Sequence, residues 1–92
     1  MPRPTIALTD LEYRVLRYLE RSRDLGRVYV SVRTLAEAAG ESVIRMSGLL
    51  RRLASFGLVV PDYSMLGTRY ATSEIGRRQI EDHHQVALEV TA

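Results

Sequence analysis

The chain contains no cysteine, which excludes disulfides, thiolate metal sites and a cysteine nucleophile. That absence fits a reducing compartment. Lysine is missing as well: the 13 basic residues are all arginine, as a GC-rich coding bias would produce. No apolar run approaches the roughly 18–20 residues that span a bilayer. The opening "MPRPTIALTD" has no apolar centre of the kind a secretory signal needs. Internal repeats, low-complexity segments and linkers are also missing. The expectation is a cytoplasmic protein with no membrane segment.

What is present suits one small domain spanning 1–92, able to bury a single modest core. At 46% hydrophobic and 26% charged the composition is globular rather than disordered. Net charge is only +2, so any case for nucleic acid rests on where the arginines sit and not on their total. Arginine stays charged and can fork onto a phosphate or a guanine edge.

Residues 1–8 read as an N-terminal arm. Thr9 then opens a first helix over 9–25, because "TDLE" is a capping box in which Thr9 and Glu12 satisfy each other's backbone N–H. Leu8 and Tyr13 flank it as a hydrophobic staple, and Leu11, Val15, Leu16 and Leu19 recur at helical spacing. Gly26 is the stop. "VYV" at 28–30 is long enough only for an edge strand. Ser31 caps a short second helix over 31–39 that turns Leu35, Ala36 and Ala39 inward and ends at Gly40. Ser42 caps a third helix over 42–56, halted at Gly57. "LVVPDY", "SMLG" and "TRYAT" read as strand, turn and strand over 58–72, with Pro61 marking an edge position or a strand end. Ser73 caps a fourth helix over 73–90. The expected class is mainly α with a small antiparallel β-hairpin, in the order α-β-α-α-β-β-α.

The third helix carries the functional signal. At about 100° per residue, Val43, Met46, Leu50 and Leu53 fall in one narrow arc and form its core side. Leu49 and Phe56 lie on one flank. Ile44, Arg45, Gly48, Arg51, Arg52 and Ser55 fall on the opposite side, and no acid occurs between residues 42 and 56. A merely solvated face usually mixes signs. The preceding helix and the tight turn "LAEAAGES" make a helix-turn-helix, whose second helix stands proud enough to enter a DNA major groove. Nucleic-acid contact is the expected use of this face.

From here the sequence resembles a known family. "VSVRTLAEAAGESVIRMSGLLRRLASFGLVV", followed by "TRYATSEIG", is similar to the winged helix-turn-helix of MarR-type and arsenic-repressor-type transcription regulators, over about residues 8–80. The resemblance implies double-stranded DNA as partner, the third helix as the recognition helix, the hairpin as the wing, and a homodimer formed through terminal helices. Position by position, Ser42, Ile44, Arg45, Ser47, Gly48, Arg51 and Arg52 fall where such regulators touch DNA. Arg69 falls on the returning wing strand, where a basic residue often meets phosphate or minor groove. The chain departs from the pattern at three places. Glu41 replaces an apolar residue, Gly48 and Leu49 replace polar readers, and the wing tip "SMLG" is apolar rather than basic. Winged helices also serve as docking modules in larger assemblies, which is the alternative function.

The remaining features are weighed against that reading. Adjacent His83 and His84 diverge by about 100° on a helix, and no cysteine or carboxylate completes a metal set. No metal and no cofactor is expected. "EDHH" lacks a nucleophile or a phosphate loop to work with, so no catalytic residue and no enzyme is expected. Met65 and Leu66 at the wing tip have three readings: a protein partner contact, which exposed apolar pairs favour, a minor-groove wedge, or a tip folded onto the domain. Tyr63 and Tyr70 read as cross-strand neighbours. The fourth helix carries two apolar lines, one of Gly76, Ile80 and Ala87 and one of Ile75, Val86 and Val90. A single domain needs only the first, so the second is expected to face another copy of the chain.

Overall fold

The computed structural model describes residues 7–91, with side chains described through residue 82. Helix α1 runs Asp10–Asp24 and starts in the capping box. The Glu12 N–H donates to the Thr9 hydroxyl at 3.1 Å, and the Thr9 N–H donates to Glu12 Oε1 at 3.0 Å. The helix ends in a reversal through Gly26 at φ +90. There the Gly26 N–H donates to the Arg23 carbonyl at 2.9 Å and the Arg27 N–H to that of Ser22 at 2.7 Å, the paired bonds of a Schellman motif. A side chain at that φ would meet its own backbone, so glycine is required.

Strand β1 is Val30–Ser31, two residues later than the expected 28–30. Val28 and Tyr29 are exposed lead-in. Helix α2, Val32–Ala39, is capped by the Ser31 hydroxyl, which accepts from Thr34 N–H at 3.1 Å, and it ends at Gly40 in the left-handed region. Helix α3, Val43–Ser55, is capped in the same way by Ser42, which accepts from Arg45 N–H at 3.1 Å. Strands β2 (Val59–Ser64) and β3 (Gly67–Thr72) form the hairpin. The sheet is antiparallel with order β1-β3-β2. Pro61 therefore lies on an edge strand, where its missing N–H costs no ladder bond.

Leu16 and Leu19 of α1, Leu35 of α2, Met46, Leu50 and Leu53 of α3, and Leu58 are fully buried in one cluster. Each such side chain contributes about 1.5–3 kcal/mol by leaving water. Val43 departs from expectation: it is 47% exposed and not part of the core. It sits at the first position of α3 and borders a cleft beside the hairpin. Met46, one turn later, is the first core residue of α3.

In the hairpin Tyr63 faces Thr68 and Tyr70 faces Pro61, so the two tyrosines are cross-strand neighbours on the diagonal of one face, as expected. Tyr70 is buried and Tyr63 exposed. Met65 and Leu66 are fully exposed, which removes the reading in which the tip folds back onto the protein.

Helix α4 runs Glu74–Thr91. Ser73 ties its start to the end of α3: its Oγ accepts from Gly76 N–H at 2.9 Å and donates to the Gly57 carbonyl at 2.5 Å. Gly76 passes so close to the segment between α3 and β2 that a Cβ there would lie 2.1 Å from the Leu58 carbonyl oxygen. That approach is why the first turn of this helix carries glycine. Gly76 is buried and Ile80 packs against the core, whereas Ile75 is exposed. Val86, Ala87, Val90, His83 and His84 lie outside the residues whose side chains are described.

Candidate nucleic-acid interface

Two capped helices separated by a three-residue turn, Gly40 to Ser42, hold α3 at the surface. Its inner side is anchored by Met46, Leu50 and Leu53, and this leaves a ridge of outward residues. Ile44 is 86% exposed, and Arg45, Gly48, Arg51 and Arg52 are exposed along the same side. Ser47 is half-buried on the flank facing the hairpin. Ser42 is exposed, but its hydroxyl is already committed to capping the helix. A Cβ at Gly48 would meet nothing within 4 Å, so packing does not require glycine there. A helix about 10–12 Å wide with such a ridge matches the major groove, itself about 12 Å wide.

The arginines are less free than the sequence implies. Within α3 there is indeed no acid, yet acids arrive from elsewhere. Arg45 pairs with Glu41, just before the helix, at 3.3 Å. Arg52 Nε lies 3.5 Å from Glu12 Oε2 of α1, and its guanidinium covers the Phe56 ring at 5.7 Å. Arg69 pairs with Asp62, its opposite number in the hairpin register, and stacks over Tyr29 at 5.6 Å. Only Arg51, among the outward arginines of α3, has no acid partner among the described residues.

The ridge separates two clefts. One, of about 450 Å³, lies between α3 and the start of α1 and includes Leu11, Glu12, Ile44, Arg45, Leu49 and Arg52. The other, of about 530 Å³, lies between α3, α2 and the hairpin. In that second cleft Tyr70 is held above the usual phenol range, chiefly by burial, further by Tyr63, and opposed by the nearby Arg51 cation. Sequence reasoning missed Arg33 of α2, which lines the second cleft, and it read Glu12 only as a cap. Asp62–Arg69 was readable in principle from the hairpin register. Glu12–Arg52 had no local signal.

No cluster of metal-ligating side chains occurs among the described residues, and no helix is long and apolar enough to cross a membrane.

These features define a winged helix-turn-helix: α2 and α3 are the paired helices, the β2–β3 hairpin is the wing, and α1 and α4 brace them. MarR-family transcription regulators have the same fold. MepR, a transcription regulator of the Staphylococcus aureus multidrug efflux pump MepA, aligns with a TM-score of 0.77 at 18% identity, covering 91% of this chain and 61% of MepR. A MarR family protein from Bacillus stearothermophilus aligns with a TM-score of 0.73 at 21% identity, covering 95% of this chain and 59% of that protein. The MepR–DNA complex from S. aureus aligns with a TM-score of 0.75 at 18% identity, over 91% of this chain and 68% of that one. The chain thus spans about three fifths of the length of the first two. No family model and no curated protein matches the sequence. At these identities the likeness is one of fold.

Proposed function

We propose that this chain is a DNA-binding transcriptional regulator. It acts as a cytoplasmic homodimer, with α3 in the major groove and the wing on the backbone or minor groove. The observation that carries the reading is the α3 ridge: Ile44, Arg45, Gly48, Arg51 and Arg52 exposed together on a helix whose other side is locked into the core. The fold it shares with a regulator solved on DNA supports the same use. Ser42 and Ser47 lie at the edges of this surface, and Arg69 extends it onto the wing. No chemical step is assigned to the chain.

A titration against random-sequence duplex DNA at several salt concentrations tests this. Each phosphate neutralised by arginine releases counterions, so log affinity should fall with log salt at about 0.9 per contact. Met65→Ser combined with Leu66→Ser should leave that slope nearly unchanged, since the tip carries no charge. Binding that ignores salt would instead favour a protein-docking module that uses the fully exposed tip.

A further inference from the structure

The cleft between α3 and the hairpin differs in kind from the rest of the interface. Val43, Ser47 and Arg51, four residues apart in turn, line up along the side of α3 that faces it. Helix α2 contributes Arg33 and the hairpin contributes Tyr63 and Thr68. No acid lines this cleft among the described residues, and neither Arg33 nor Arg51 has an acid partner there. The cleft across the ridge is the reverse: Glu12 lies in it beside Arg45 and Arg52. Two uncompensated guanidinium groups lining one cleft with hydroxyl donors are the setting a phosphate oxyanion requires, because arginine makes charge-assisted, often bidentate bonds to it. Arg45, Arg52 and Arg69 are placed less well. Each must first give up a carboxylate, which then remains nearby to repel the phosphate.

We infer that a phosphodiester of the DNA backbone sits in the α2–α3–hairpin cleft, held by Arg33 and Arg51. Arg33, outside the recognition helix, is on this reading a DNA-binding residue, and these two arginines carry a larger share of the affinity than the three that are acid-paired. The inference rests on the DNA-binding reading above and specifies its anchoring site. Val43 explains itself in the same terms. It is exposed because it floors a cleft that stays open for the strand.

The experiment is fluorescence titration of the full chain against a labelled random-sequence duplex across a salt series, with matched circular dichroism melts. Arg33→Ala and Arg51→Ala should each weaken binding by about tenfold and shallow the salt slope by about 0.9 per bound chain. Arg33→Gln should behave as Arg33→Ala, and Arg33→Lys should keep the slope. Arg17→Ala, on the exposed side of α1 and outside the proposed DNA surface, should change both quantities much less. If the unaltered chain binds with a steep salt slope and Arg33→Ala keeps both affinity and slope, the cleft is not the phosphate site and the inference is overturned. The same holds if the loss falls on Arg17 instead. An unaltered chain that binds no duplex overturns the DNA-binding reading itself and this inference with it.

Discussion

Arg52, on the outward ridge of α3, has its Nε 3.5 Å from Oε2 of Glu12, which is only 3% exposed at the start of α1. The same carboxylate closes the α1 capping box through Oε1. One side chain therefore caps one helix and tethers another, so a residue that looks like a pure DNA contact also has a structural task.

Removing Arg52 leaves a buried carboxylate without its cation. Arg52→Ala should destabilise the fold by about 1 kcal/mol, whereas Arg51→Ala should stay within about 0.5 kcal/mol. A double-mutant cycle with Glu12→Gln isolates the pair by urea unfolding. Additive single effects would show that the contact contributes nothing to stability. Thr9→Ala, on the other half of the capping box, should cost about 1 kcal/mol.

Gly76→Ala should be far more damaging than a glycine-to-alanine change in an ordinary helix. Its Cβ would lie 2.1 Å from a backbone oxygen, so α4 must move away from Leu58. The expected cost is about 1–3 kcal/mol, or a melting temperature lower by roughly 4–8 °C for each kcal/mol. Gly48→Ala meets nothing and should instead stabilise α3 by up to about 1 kcal/mol. Equal melting temperatures for the two variants would refute the close approach.

Tyr70 gives the fold an alkaline limit. Burial first, then Tyr63, raises its pKa above 10.0, with Arg51 opposing. Below about pH 10 the phenol is neutral in both folded and unfolded chains, and its contribution to stability is complete. Above that the unfolded chain loses the proton first, so stability falls as pH rises toward the folded value. Tyr70→Phe should therefore lose less stability than the unaltered chain as pH rises above about 10. Parallel losses in the two would show that Tyr70 is not the group responsible.

Exposed Ile75, at the start of α4, is the described member of the line expected to face a second copy. The chain should sediment as a dimer at micromolar concentration, and Ile75→Glu or truncation after Asp82 should give a folded monomer with weaker DNA binding. A monomeric intact chain would end the homodimer proposal.

The helix boundaries were legible because they are local. Thr9, Ser31, Ser42 and Ser73 each satisfy a backbone N–H three residues ahead, and Gly26, Gly40 and Gly57 adopt positive φ just past a helix end. Such bonds depend on residues adjacent in the chain, so spacing alone reveals them. The hairpin was legible for the same reason: its turn sets Ser64 opposite Gly67, and the pairs Tyr63–Thr68 and Asp62–Arg69 follow from that register.

By itself, then, the sequence determined the order of elements, their caps and the side of α3 that faces outward, because helical periodicity assigns faces without reference to any neighbour. Tertiary structure decided which of those outward arginines are already spoken for. Glu12 and Arg52 are forty residues apart and meet only because α1 packs beside α3. Arg33 and Arg51 share a cleft only because α2, α3 and the hairpin come together around it. An ion pair depends on distance in space, which falls off within a few ångströms, and no local pattern in the chain encodes that distance.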